Sequence, residues 1–431
     1  MKVTQQVKLA KEASIKLAVL PTNVKNKALS AIAKSIEKNS KKIIEANKKD
    51  LELAEKQKLN KVMIDRLRIG NGKIHEMAEE IKNVAKLDDP VGKTLSQIEL
   101  DKGLMLYQVT CPIGVIGAIF ESRPDAAAQI SALCLKSGNA VILKGGSEAL
   151  NSNKMLVKLI SEAADKNGTP KGAVQLIETR EEVAEMLQLH DCIDLIIPRG
   201  SNAFVKYVQE HTKIPVLGHS EGICHVYVDK GADLNKAINI SLDAKCQYPA
   251  VCNAMETLIV HKVIAKKFLP KMIEKFKNAN VEVRGDDKTR KIVSGIKIAT
   301  EKDWDTEYND LILSVKVVND LDEAISHINK HSSKHTDAII TENKKNAEKF
   351  MNLVDSASVM WNASTRFADG FRYGKRAEVG ISTAKLHARG PVGLEGLVIY
   401  KYKLIGMGQI VRDYTGKNAK KYMHKVIKRL F

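Results

Sequence analysis

From residue 1 to about 90, apolar positions recur at three- and four-residue spacing, the period of helices with one buried face. Pro21-Thr22-Asn23 interrupts the pattern and offers a break followed by a fresh cap. Between about 97 and 112 the pattern changes to extended structure. Beyond it, short apolar runs alternate with amphipathic ones. VIGAIF predicts a strand, and AAAQISALCLKSG a helix ending at Gly138. AVILKGG predicts a strand running into a glycine turn, and SEALNSNKMLVKLISEAADKNG a helix ending at Gly168. AVQLIE with REEVAEMLQLH, then DLIIPRG with SNAFVKYVQEHT, repeat the unit twice. Such alternation predicts an α/β chain built on a doubly wound parallel sheet. Ligands of these sheets bind at the carboxyl ends of the strands. A second α/β unit begins near 222, with ICHVYVD as a strand and Ala232–Ala244 as a helix. Asn319–His335 reads as one helix, with histidines at 327, 331 and 335 on a single face.

Composition narrows the classes. A chain of 431 residues divides into two or three domains, each able to bury a core. Hydrophobic residues at 44% and charged residues at 28% are ordinary for a soluble globular protein. Cysteines stand at 111, 134, 192, 224, 246 and 252, with no CxxC pair. Neither a disulfide framework nor a zinc knuckle is indicated, which fits a reducing cytosol. The N-terminus carries no signal-type apolar block. The uncharged run Gly103–Phe120 is long enough to raise a membrane span. It also holds Gln108, Thr110, Pro112, Gly114 and Gly117, which read better as two strands and a turn.

The formal net charge of +18 raises nucleic acid as a partner. Only 13 of the 69 basic residues are arginine, the residue favoured for bidentate phosphate and base contacts. The lysines are scattered over polar helix faces, so a solvated surface is the expectation, with no nucleic-acid or membrane partner. The segment from Thr415 to Phe431 is the one compact basic stretch, and nothing in the sequence gives it a role.

Candidate chemistry gathers at three places. In QYPAVCNAMETLIVH, Pro249 biases Tyr248 toward an extended form, and Cys252 stands where a loop enters a core strand. A free cysteine is most often a small buried hydrophobe, so the stretch alone leaves packing and nucleophilic attack both open. In AVILKGGSEA, Lys144 ends a strand, Gly145-Gly146 allows close backbone approach, and Ser147 can cap the next helix. Gly200-Ser201 repeats this one unit later. Helix N-termini favour phosphate, yet Gly-Ser at a helix start is usually only a cap. No GxGxxG occurs. The three histidines have ligand spacing but no acidic partner of the HExxH kind, so capping, packing or substrate contact is preferred and no metal is expected.

Across nearly its whole length the chain resembles the gamma-glutamyl phosphate reductase family of the aldehyde dehydrogenase superfamily. The resemblance rests on CPIGVIGAIFESRPDA, AVILKGGSEA, QYPAVCNAMETLIVH, the helix VNDLDEAISHINKHSSKHTDAI, and RFADGFRYGKRAEVGISTAKLHARGPVGLEGL. It implies an aldehyde dehydrogenase-like fold of two doubly wound domains plus a small β oligomerisation arm. Residues 1–96 and 113–221 would form the cofactor-binding domain and 222–392 the catalytic domain. Residues 97–112 and 393–412 would supply oligomerisation strands, and 413–431 the basic tail. Cys252 is implied as nucleophile, with Asn253 beside it as a weaker oxyanion donor. Lys144, Gly146 and Ser147 would meet the adenosine end of NADPH, Gly200 and Ser201 its phosphates, and Glu307 the nicotinamide ribose. Ser122, Arg123 and Arg366 are candidates for the substrate's phosphate or carboxylate.

The implied reaction is NADPH-dependent reduction of L-glutamyl 5-phosphate, supplied by glutamate 5-kinase, to the 5-semialdehyde. It is the second step of proline biosynthesis from glutamate. A cytoplasmic, stand-alone homo-oligomer, dimer or tetramer, is expected. Thiol chemistry fits independently, because an acyl phosphate is already activated toward a thiolate. The chain departs from hydrolytic relatives at two places. It has Glu121-Ser122 where they place Asn, and Val216-Leu217-Gly218-His219 lacks the Glu they carry before the cysteine. The competing readings are a hydrolytic NAD(P)-dependent semialdehyde dehydrogenase and a basic binding protein. Ser147, in place of a carboxylate three residues after Lys144, leads us to expect NADPH over NADH.

Overall fold

A computed structural model describes residues 1–59, 61–121 and 123–427. The expected substrate contact Ser122 therefore lies outside the described residues. Helices Val3–Leu17, Thr22–Lys38, Ser40–Lys56, Lys61–Leu67 and Asn71–Lys86 fill the N-terminal region. Ala28, Leu29, Ile32, Ala33 and Ile36 line the buried side of the second, the one-sided pattern read from the sequence. A hairpin follows, with β1 (Thr94–Asp101) and β2 (Leu104–Pro112) antiparallel.

The chain then builds a parallel sheet from β3 (Val115–Phe120), β4 (Ala140–Lys144), β5 (Val174–Leu176) and β6 (Leu195–Arg199), in the order β5-β4-β3-β6. Every residue of β3 is buried, as expected of a strand covered on both faces. The uncharged run Gly103–Phe120 is thus two strands joined by a turn at Gly114. No described helix is long and apolar enough to cross a membrane.

The second parallel sheet holds β7 (Cys224–Val228), β8 (Met255–His261), β9 (Glu282–Gly285), β10 (Lys297–Ile298), β11 (Ile312–Val318), β12 (Thr336–Ile340) and β13 (Ser358–Trp361). Their order is β10-β9-β11-β8-β7-β12-β13. Each sheet has its own apolar core. A short antiparallel pair, β14 (Gly380–Ser382) and β15 (Gly390–Val392), follows. Val379, Val392 and Leu397 join the core of the first sheet, so after β13 the chain returns to the first unit. Finally β16 (Val398–Ile405) pairs with β2 along its whole length, and β17 (Lys425–Val426) closes the other edge beside β1. The described part of the basic tail is held there by Met423 and Ile427, whose amides donate to Leu100 and Gln97, and by Tyr414, whose hydroxyl donates to Asp101. It covers the edge of β1, which would otherwise offer unpaired backbone groups.

One sequence expectation fails here. The histidine-rich helix spans Leu321–His331 only, and His335 lies beyond it, at the mouth of β12. Ser332 is extended and Lys334 adopts φ +63°, so the helix cannot continue. His327 packs against Trp304, His225 and His331, while His335 goes elsewhere.

Candidate active site

The carboxyl ends of β3 and β6 face the loop that precedes β8, and a cleft of about 490 Å³ lies between them. Cys252 lines it, half-buried, in the loop between the helix Leu234–Cys246 and β8. The loop is fixed from several sides. Ala254 N donates to Val251 O in a tight turn. The Cys224 thiol donates to Cys252 O at 3.2 Å. A Cβ on Gly222 would stand 2.1 Å from that same carbonyl oxygen, so only glycine lets the two backbones approach this closely. Below the loop, Lys245 and Glu256 form a fully buried ion pair at 2.6 Å that ties its two ends together.

Asn253 requires a correction. Its buried side chain donates to Ala368 O at 2.8 Å, and it is not among the residues lining the cleft. It holds the Cys252 loop in place. Arg366 is likewise turned to structure: its Nε donates to Gln247 Oε1 at 2.9 Å, and it does not line the cleft. Arg123 does line it, beside Asp125. Sequence reasoning missed Arg199 and Glu378, which also line it. Arg199 could have been found, since it ends β6 immediately before the Gly200-Ser201 turn. Burial and the neighbouring Arg123 press its pKa down, while Glu378 and Cys252 act the other way.

Burial, together with the Glu307 and Glu378 carboxylates, pushes the Cys252 thiol up to about 12. The thiol is therefore protonated at neutral pH and needs a proton acceptor. His219 is close: one of its ring nitrogens, one of His335 and Cys252 Sγ lie within 4.8 Å of one another. His219 Nδ1 donates to Ile381 O at 2.8 Å, which leaves its acceptor lone pair on Nε2. Burial lowers the His219 pKa, so the ring stands neutral.

The cleft continues into a second groove of about 530 Å³, with Met63, Phe120, Glu121 and Ser201 common to both. Lys144, Gly146, Ser147 and Arg180 line this groove. Ser147 makes no side-chain cap. The helix Leu150–Asp165 is capped instead by Asp50, which accepts from the amides of Asn151 and Ser152 at 3.0 and 2.8 Å. At the other strand end Ser201 N donates to Glu121 Oε2 at 3.0 Å, and a Cβ on Gly200 would meet that carboxylate at 2.8 Å. This turn therefore already holds an anion with backbone N–H. Glu307 reaches across the cleft and accepts from Asn202 at 3.0 Å. The structure thus brings Lys144, Gly146, Ser147, Gly200, Ser201, Glu307, Arg123 and Cys252 along one continuous groove.

The aldehyde dehydrogenase family profile matches residues 1–297. Gamma-glutamyl phosphate reductase from Methanococcoides burtonii is 58% identical over 98% of this chain and 96% of its own length. The enzyme of that name from Acetivibrio thermocellus is 55% identical over the full length of both. The crystal structure of gamma-glutamyl phosphate reductase from Thermotoga maritima superposes with a TM-score of 0.93, at 44% identity, over 95% of this chain and all of that one. On these similarities the chain belongs to the gamma-glutamyl phosphate reductases of the aldehyde dehydrogenase family.

Proposed function

We propose that this oxidoreductase reduces L-glutamyl 5-phosphate to L-glutamate 5-semialdehyde and phosphate, in proline biosynthesis, through a thioester on Cys252. The observation that carries the reading is the placement of Cys252 at one end of a continuous groove whose other end holds Lys144 and Arg180. Its residues fit a dinucleotide phosphate. Ser201 N–H already engages a carboxylate in the way it would engage a phosphate oxygen. Lys144 and Arg180 would face the 2′-phosphate of NADPH, with Ser147 leaving room, and Glu307 would meet the ribose.

As Cys252 Sγ attacks the acyl carbon, His219 Nε2 takes the thiol proton. The carbon–oxygen bond to phosphate breaks, and phosphate leaves with its electron pair. Arg123 and Arg199 neutralise the charge of the phosphate and carboxylate at the cleft wall. The Cys252 amide would donate to the developing oxyanion. Bound NADPH supplies the hydride that reduces the thioester carbonyl. His219 then returns its proton as the hemithioacetal collapses, which frees the aldehyde and the thiol.

The reverse direction gives the test. Protein mixed with glutamate semialdehyde, phosphate and NADP⁺ should generate reduced cofactor, read at its absorbance. No cofactor reduction under those conditions would overturn the proposal.

A further inference from the structure

At the back of the cleft, Cys252 shares its surroundings with two imidazoles that have spare capacity. We propose that Cys252, His219 and His335 form a binding site for a thiophilic divalent cation of the zinc class, which reversibly takes the nucleophile out of action. The donor set is one sulfur and two imidazole nitrogens, all within 4.8 Å of one another. That is the composition preferred by zinc, and three protein ligands leave a fourth position open toward the cleft. His335 is 1% exposed. Its Nδ1 lies 2.8 Å from Thr336 Oγ1 and 3.9 Å from Cys224 Sγ. Its Nε2 is buried with no hydrogen-bond partner among the described residues, which is costly for a polar atom left unsatisfied. A metal bond would satisfy it. His219 has the complementary arrangement: its Nδ1–H is held by a backbone carbonyl, the usual support of a metal-binding histidine, and Nε2 carries the lone pair.

The electrostatics suit a cation. Glu307 and Glu378 act on Cys252, opposed by Arg199. On binding, the Cys252 sulfur–hydrogen bond breaks, the sulfur–metal bond forms, and one proton goes to solvent. Bond lengths of about 2.0–2.3 Å require the three donors to close up by roughly an ångström. Cys252 and His219 both sit in loops, outside regular elements. The i, i+4 histidine series of the sequence suggested a different set. By ending its helix at His331, the chain frees His335 to stand behind the thiol.

The site does not depend on the reaction proposed above, so the test uses no substrate. Full-length, metal-free, reduced protein is titrated with Co²⁺ and its absorption recorded. One equivalent should produce a thiolate-to-cobalt charge-transfer band with the visible bands of a four-coordinate ion. Cys252→Ala should abolish the charge-transfer band. His335→Ala should weaken binding by at least about tenfold, the scale already seen for loss of a supporting partner. In the unmodified protein, stoichiometric Zn²⁺ should slow alkylation of Cys252 by iodoacetamide, followed by mass; this arm decides if His335→Ala fails to fold. Cobalt binding without the thiolate band, unchanged affinity in a folded His335→Ala variant, or an alkylation rate indifferent to Zn²⁺ would each overturn the proposal. A Cys252→Ala enzyme that still turns over would refute the thioester, and with it the silencing of a nucleophile, and leave only the cation-binding site standing.

Discussion

Gly222→Ala offers a direct way to displace Cys252, the proposed nucleophile, without touching it. The new Cβ would stand 2.1 Å from Cys252 O, 2.4 Å from Cys252 Cα and 2.6 Å from its carbonyl carbon. All three are backbone atoms, so no rotamer change relieves the clash. Ordinary contact begins at 3.4 Å, and the loop must therefore retreat by more than an ångström. The 3.2 Å bond from the Cys224 thiol to Cys252 O would be lost with it. A displacement of about 1 Å at the reacting atom can cost roughly 10²-fold in rate. The strain itself is comparable to overpacking, about 1–3 kcal/mol, small beside a total stability of about 5–15 kcal/mol. The variant should therefore fold, with unchanged circular dichroism and a modestly lower Tm, while kcat falls about 100-fold. Gly72→Ala is the control: nothing lies within 4 Å of its Cβ, and kcat should stay as in the parent. A Gly222→Ala enzyme with kcat within about twofold of the parent would refute the argument that this contact positions Cys252.

Cys252→Ala should abolish reductase activity while cofactor binding survives, and Cys246→Ala and Cys134→Ala should remain active; steady-state assays of the three decide. Arg180→Ala should raise the KM for NADPH and leave that for NADH nearly unchanged, and equal effects on both would remove Arg180 from 2′-phosphate recognition. Glu256 gives a pH signature. Burial, opposed by Lys245, pushes its carboxyl from an ordinary 4.5 up to about 7. Between those values the unfolded chain has released a proton that the folded chain keeps, so stability falls as pH rises through that window. Relative to Glu256→Gln, the parent's Tm should decline between pH 4.5 and 7, and parallel Tm–pH curves would contradict the assignment.

The parallel sheets were legible because their strands are buried on both faces and read as unbroken apolar runs, as in VIGAIF and AVILK. The groove residues were legible for a related reason: strand ends followed by Gly-Ser turns have a fixed place in such sheets. What stayed hidden depends on contacts distant in sequence. Asn253 looked catalytic from its neighbour Cys252, but its partner is the carbonyl of residue 368. Ser147 has capping chemistry, yet Asp50, about a hundred residues away, takes the cap. Gly222 carries no motif, and its need appears only when Cys252 packs against it. The His335 misplacement is local, since Ser332-Ser333-Lys334 should have argued against a helix running to 335.

The central claim is a thioester on Cys252 that phosphate, and not water, resolves in the oxidative direction. The Glu that serves hydrolytic relatives is absent from the Val216–His219 turn. A positioned base is worth roughly 10²–10⁴-fold for attack by water. His219 Nδ1 is held by Ile381 O, and in the proposed reaction its other nitrogen handles the thiol proton. The decisive measurement is the rate of NADP⁺ reduction by glutamate semialdehyde as phosphate is varied from zero. The account predicts a rate that rises from near zero and saturates with phosphate, with glutamyl phosphate as product. Steady turnover in phosphate-free buffer with release of free glutamate would contradict it and move the chain to the hydrolytic class.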